Sequence, residues 1–454
     1  MGFANRWSLL GAVLCFGAFA AAARADDWPQ WLGPERDGVW RETGIIDKFP
    51  ASGSAIRWRT PVGGGYAGPA VAGGRVYVTD RVQAKDAKLP KAMARGNIAG
   101  TERVLCLNEA DGSVIWKHEY DCPYTISYPS GPRTTPIVRD HRVYTLGAEG
   151  NLFCLDADTG KPQWSRELKK DYDVKSPVWG FSASPLLDGQ KLICIVGGKG
   201  HVVVAFDKDS GKEIWRALSA SFPGYCPPMI YEAGGKRQLI IWDGENVSSL
   251  DPETGKVYWA QPVPTYYGMS ISTPRKAGNF LFLTGSSKVA VVLNLHPDSP
   301  AADVAWKAGK DTGIYSVFGT PFIEDGYIYG SHTDGKLACI SLDTGKRMWE
   351  TMAPNNGKKA QSGDPFLIKN GDRFFIANEK GDLIIARLSP KGYEEISRAH
   401  VLAPTTYAFG DRDVVWSAPA FADRCAFMRN DKEIVCVALG RDQGSGSRGQ
   451  GEAK

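Results

Sequence analysis

No Gly-x-Ser-x-Gly elbow, no Walker-type phosphate loop and no Cys-x-x-Cys-His haem attachment occurs in the 454 residues. A nucleophile elbow, a P-loop nucleotide site and covalent c-type haem are thereby excluded. The six histidines (His118, His141, His201, His296, His332 and His400) show no metal-ligand spacing. Charge imbalance is also lacking: 54 basic against 50 acidic residues give a net charge of +4. That is no footprint for nucleic acid, and no polybasic run addresses an anionic membrane. The one marked apolar run, Leu9 to Ala23, is too short and too close to a cleavage site to anchor the chain in a bilayer. With Arg6 before it and Ala23-Arg24-Ala25 after it, the run predicts a signal peptide over residues 1–25 and an exported protein, periplasmic or extracellular. A lipoprotein would use Cys15, but Leu14 stands where a small residue is expected.

Cleavage removes Arg6 and Arg24 and leaves a net charge of +2 and eight cysteines. Eight thiols in an exported chain invite a disulfide reading. The sequence argues otherwise, because Cys106, Cys154 and Cys436 fall at one equivalent position of a repeat whose other copies carry Ala205 or Ser249. Cys339 lies on the same strand of its own copy. Only Cys122 and Cys226, each before a proline in a connecting loop, form a pair to be tested for a bridge.

The repeat itself is plain. LFCLDADTGKPQW (152–164) returns as CLNEADGSVIW, AFDKDSGKEIW, SLDPETGKVYW and ISLDTGKRMW, and in each the Trp follows a turn Gly by four positions. A second mark is a proline opening an apolar strand: Pro69, Pro136, Pro185, Pro228, Pro274, Pro321, Pro365 and Pro419. Successive intervals from Pro136 are 49, 43, 46, 47, 44 and 54 residues, and the first interval of 67 holds an insertion at 81–100. Units of about 45 residues with four short strands predict propeller blades. Eight prolines predict eight blades in an all-β fold. Asp and Thr of the turn bond nearby amides, the Gly takes a positive φ, and the Trp on the outer strand wedges against the next blade. Trp58, Trp116, Trp164, Trp215, Trp259, Trp306 and Trp349 are accordingly expected to be structural docking residues. The fifth unit keeps Trp306 on a lengthened hairpin, the seventh has lost its Trp, and the eighth ends one strand short. The segment SAIRWRTPV (54–62) is expected to supply that strand and close the ring. The domain reading is a signal peptide at 1–25, an extended strap at 26–53 packing Trp28, Trp31 and Trp40 on the ring, the propeller at 54–440, and a disordered Gly/Ser-rich tail at 441–454.

The D-x-x-T-G-K-x-x-W phrase resembles the tryptophan-docking motif of the pyrroloquinoline-quinone (PQQ) repeat superfamily, over about residues 54 to 440. DWPQWLGPERDGVW (27–40) further resembles a group of exported PQQ-like propellers. The resemblance implies the eight-bladed fold and two functions. Some members are quinoprotein alcohol dehydrogenases; others, like the propeller of the outer-membrane assembly machinery, only bind. A quinoprotein dehydrogenase needs Ca²⁺ held by carboxylate and amide oxygens, an Asp base, an Arg near the quinone and an aromatic floor. The typical enzymes add a pair of adjacent cysteines. This chain has no Cys-Cys pair and no long insertions.

Loops from each outer strand to the next inner strand converge on the axis of a propeller. Here they carry Tyr66, Tyr128, Arg133, Trp179, Tyr225, Tyr267, Tyr315 and Trp416, a candidate ligand mouth suited to a planar cofactor, a sugar or a peptide. Packing between blades is the competing role for these rings. The leading expectation is a non-enzymatic binding or scaffold propeller with an envelope or secreted protein partner, needing no cofactor and no catalytic or metal residue. The alternatives are a PQQ- and calcium-dependent alcohol or sugar dehydrogenase and a small-ligand or glycan-binding module. The basic residues of the insertion (Arg81, Lys85, Lys88, Lys91 and Arg95) are a secondary docking candidate.

Overall fold

The computed structural model describes residues 27–87, 93–286, 288–309, 312–410 and 412–441. The signal peptide and nearly all of the tail expected from the sequence lie outside the described residues. Eight four-stranded antiparallel sheets follow one another along the chain, joined by one two-stranded ribbon. Blade one comprises Ala70–Ala72, Arg75–Gln83, Gly100–Asn108 and Val114–Asp121; blades two to seven follow in order to His400. Blade eight takes Ala420–Ala422, Cys425–Arg429 and Glu433–Ala438 from the C-terminal end and Ala55–Pro61 from the N-terminal end. Ala55 pairs with Ala438 and Pro61 with Glu433, so the two chain ends close the ring. This removes the exposed edge that an open array of sheets would carry.

The blades are fastened by one contact repeated around the ring. The outer-strand Trp of blades one, two, three, five and eight lies over the turn Gly of the next blade and donates its indole N–H to a carbonyl there. Trp349 of blade six reaches the Ser389 carbonyl of blade seven with no Gly beneath its ring. Trp116 reaches the Ala157 carbonyl at 2.9 Å, Trp164 that of Lys208 at 2.9 Å, and Trp306 that of Leu342 at 2.7 Å. Trp58, on the closing strand, reaches the Glu109 carbonyl at 2.8 Å and joins blade eight to blade one. The Gly is required twice. Gly160 has φ +70°, and a Cβ there would meet Trp116 Cε3 at 2.5 Å. The bend is set by Asp156, whose Oδ1 accepts from the Thr159 amide at 2.8 Å and its hydroxyl at 2.7 Å. Asp207 does the same for Ser210.

Two departures from the repeat have a physical cause. Trp259 faces the lengthened hairpin of blade five, and its N–H turns to Gln238 Oε1 within its own blade at 2.8 Å. Blade seven has no Trp because blade eight has no hairpin between its last two strands: these come from opposite ends of the chain. All eight cysteines among the described residues are buried free thiols. Cys122 approaches Asn151 and Cys226 approaches the Ser272 carbonyl, so the two are not joined.

The strap does more than pack on the ring. Inner strands of a propeller present one unpaired edge to the central channel, and buried backbone groups need partners. Trp28 exchanges hydrogen bonds with Val71 at 2.8 and 2.9 Å, and Pro29 accepts from the Val138 amide at 2.8 Å. Arg36 donates to the carbonyls of Pro185 and Pro228, and Arg275 donates to those of Arg36 and Asp37. Gly38 and Trp40 then pair with both backbone groups of Lys369. The strap thus passes from blade to blade inside the channel. Burial pulls the Arg36 guanidinium down to about 10, and carbonyls rather than a carboxylate meet its charge.

Candidate functional site: an aromatic cup on the axis

The loops between blades meet over the channel and enclose a cavity of about 450 Å³. Every inter-blade connection contributes to its wall. Tyr66, Tyr128, Arg133, Trp179, Tyr225 and Trp416 line it, together with Ser184, Met269, Phe318, Phe366 and the Phe409 tip of a β-ribbon. The Trp31 ring of the strap also lines it, tied by its indole N–H to Thr273 Oγ1 at 3.1 Å. Because the strap occupies the channel, the cavity is a cup rather than a pore.

Local contacts hold each wall residue. The amides of Tyr66 and Ala67 both donate to the Pro132 carbonyl. Tyr128 is left-handed at φ 53°, a strained conformation for a non-glycine residue, and Arg133 donates to its carbonyl. Arg133 also reaches the carbonyls of Gly131 and Ser127, and its guanidinium lies over the Tyr66 ring, 5.0 Å from the centroid. Trp179 meets Tyr225 edge-on at 5.5 Å, while Trp416 contacts Phe318 at 5.3 Å and Tyr128 at 6.0 Å. Asp364 of the following connection accepts the amides of Val317, Phe318 and Gly319 at 2.6, 2.8 and 3.0 Å, fixing that wall.

Two of the eight residues singled out from sequence stand elsewhere. Tyr267 is 55 % exposed and packs against Tyr266 at 4.3 Å, outside the cup. Tyr315 turns its hydroxyl to the carbonyls of Gly309 and Thr312 and packs between blades five and six. The wall also takes Trp31, Phe318, Phe366 and Phe409, which the loop pattern does not single out. In the insertion, Arg81 belongs to a strand that runs to Gln83; it is buried and donates to Ile98, so it is no docking cation. Lys88 and Lys91 lie outside the described residues.

Arg133 is the single charged side chain on the wall among the described residues. Carboxylates stand behind the wall, each already engaged. Glu379 pairs with Arg412 at 3.0 Å and receives the Trp416 indole N–H at 3.4 Å. Burial pushes the Glu102 carboxyl up, against the bonds it accepts from Tyr120, Tyr124 and the Ala148 amide. For Glu149 burial also acts upward, but Lys169, Ser176 and the Thr125 amide outweigh it and hold the carboxyl low. Calcium takes 6–8 oxygen ligands with carboxylates among them. Among the described residues the cup presents no carboxylate, and no group of three or more His, Cys, Asp or Glu side chains stands ready for a metal. PQQ with calcium therefore does not fit the described residues of this wall.

A closed eight-bladed ring with a blind, ring-lined cup on its axis defines a PQQ-like propeller. The chain belongs to the PQQ_2 family, described as outer membrane protein assembly factor BamB, whose model matches residues 100–351, more than half of the chain. Among curated relatives, a BamB of Moranella endobia is 25 % identical over 55 % of this chain and 65 % of its own length. The quinoprotein alcohol dehydrogenase PedH of Pseudomonas putida is 27 % identical over 29 % of this chain and 23 % of its own. The chain thus spans less than two thirds of the length of these relatives. Among solved structures, the quinohemoprotein alcohol dehydrogenase of Comamonas testosteroni superposes with a TM-score of 0.59 at 14 % identity, covering 96 % of this chain and 82 % of that one. BamB of Moraxella catarrhalis gives 0.52 at 18 %, covering 80 % of this chain and 97 % of that one. Both structural likenesses speak to the fold alone. The chain is related to both the assembly factors and the quinoproteins.

Proposed function

We propose that this protein is an exported, non-enzymatic propeller of the cell envelope that recognises a partner protein across its mouth face, as an assembly factor or scaffold would. The supporting observation is the chemistry of the cup. Its one charged wall residue is turned onto loop carbonyls, and the acids behind it are consumed by structural contacts. A base and a calcium ligand set are what a quinoprotein dehydrogenase would need there. The surrounding face carries exposed Met93, Phe222, Tyr266, Tyr267, Tyr407 and Phe409, the kind of apolar and aromatic surface enriched at protein interfaces.

The test is to mix the purified protein with PQQ and Ca²⁺ and follow cofactor absorbance on gel filtration and dye reduction with alcohols and sugars. No co-elution and no turnover are expected. Saturable cofactor binding with turnover would replace this reading by the dehydrogenase one, which the aromatic walls and the quinoprotein relatives otherwise favour.

A further inference from the structure

We propose that the cup binds an uncharged, planar aromatic ligand of small-molecule size. This rests on the reading of the mouth face as the recognition surface and narrows what its centre takes. A cavity of about 450 Å³ is within the range of small-molecule sites. Its wall is built of ring faces and edges on two sides, Trp179 with Tyr225 on one and Trp416 with Phe318 and Tyr128 on the other. The Trp31 ring of the strap lies among them. Offset and edge-on arrangements of this kind suit a flat ring inserted between them.

The polar groups discriminate against other classes. Among the described residues an anion meets Arg133, three of whose four terminal N–H groups already donate to loop carbonyls. A cation finds the same guanidinium and, among the described residues, no carboxylate. A cation loses its hydration without a counter-charge, and an anion gains the guanidinium charge but few free donors to replace its hydration. A sugar needs several convergent hydrogen-bonding groups, but Ser182 is spent on the carbonyls of Trp179 and Gly180, and Ser184 already accepts from the Thr135 amide. Gln361 and Ser362 at one side and the Tyr66 hydroxyl, unpartnered among the described residues, remain, enough to orient a ligand with a few polar atoms.

The experiment is calorimetric titration of the full mature chain with 2-naphthol, 2-naphthoate, N-methylquinolinium, cellobiose and the blocked peptide Gly-Trp-Gly. Saturable one-site binding of 2-naphthol is expected, with both ions and the sugar weaker by about tenfold or more. Trp179→Ala should weaken 2-naphthol by about tenfold, and Phe409→Ala, at an exposed ribbon tip, should weaken it without risk to the fold. Ile214→Ala, on the outer rim of blade three, should change nothing. Absence of 2-naphthol binding, preference for an ion or the sugar, or unchanged binding in both cup variants would overturn the proposal. Tighter binding of the peptide than of 2-naphthol would also overturn it, by assigning the cup to a protein-borne side chain, and would leave the proposed function standing. PQQ turnover, by contrast, is the failure of the proposed function itself.

Discussion

Gly160→Ala isolates the contact on which the ring depends. The substitution has two costs. The first is local: φ +70° is disfavoured for an L-residue by about 1 kcal/mol. The second is the indole. An added Cβ would sit 2.5 Å from Trp116 Cε3 and 2.7 Å from Cδ2, so the ring has to leave its seat. Its hydrogen bond to the Ala157 carbonyl is worth about 1 kcal/mol. Exposing even half of a Trp of ~200 Å² costs about 2 kcal/mol more. The total is about 4 kcal/mol. Gly189→Ala provides the control, since its φ is +56° but nothing lies within 4 Å of the new Cβ, leaving only the local cost. In a Trp116→Ala background Gly160→Ala should likewise cost only about 1 kcal/mol, a coupling of about 3 kcal/mol. Urea unfolding of the four variants, followed by far-ultraviolet ellipticity, measures it. If Gly160→Ala costs the same with and without the indole, the Trp does not need the Gly and the account of the repeat is wrong.

Asp364→Ala leaves the amides of Val317, Phe318 and Gly319 without an acceptor and should cost about 3 kcal/mol or more, whereas Asp364→Asn keeps an acceptor oxygen and should cost under about 1 kcal/mol; urea midpoints separate the two. Glu109, under the Trp58 ring at the closure, is pushed up to about 7, first by burial and then by Asp423, Asp27 and Glu42, with Arg57 opposing. A carboxyl raised in this way holds its proton more tightly when folded, so its contribution is full below about 4.5 and is lost as pH rises through about 7. Glu109→Gln should therefore raise the thermal midpoint at pH 8 and leave it unchanged at pH 4; an equal gain at both would refute the assignment.

Much of the ring was legible because it is built from local rules repeated at fixed spacing. The turn Asp, the turn Gly and the Trp four residues later are a self-contained hairpin and its fastener, and nothing distant alters them. Even the irregularities were visible: the long interval before Pro419 holds the ribbon Thr406–Ala408 with Arg412–Val414, and the lost Trp of blade seven marks the place where the chain ends meet. The cup was less legible, because its wall belongs to loops whose paths are set by irregular tertiary contacts. Nothing in YYGMSIS tells that Tyr267 turns outward while Met269 and Ile271 face the axis, or in GIYSVFGTP that Phe318 rather than Tyr315 does. The place of Trp31 is hidden in the sequence because the channel it enters exists only once the ring has closed.

The N-terminal segment joins these two levels. Eight short inner strands line the axis, each paired on one side only within its own blade, so a further piece of chain has to satisfy their free edges. A regular strand cannot do so, because the partner changes every few residues as the path moves from blade to blade. The sequence WPQWLGPERDGVW suits that path: Gly33 and Gly38 take positive φ, prolines remove donors where none is needed, and Arg36 spans two carbonyls that no backbone amide reaches. The same passage closes one end of the channel and sets the Trp31 ring into the cup. Fifteen residues on, Ala55–Pro61 closes the circle. One continuous stretch thus completes the fold and builds part of the wall of the site, so changes that loosen the strap act on ring stability and on the cup together.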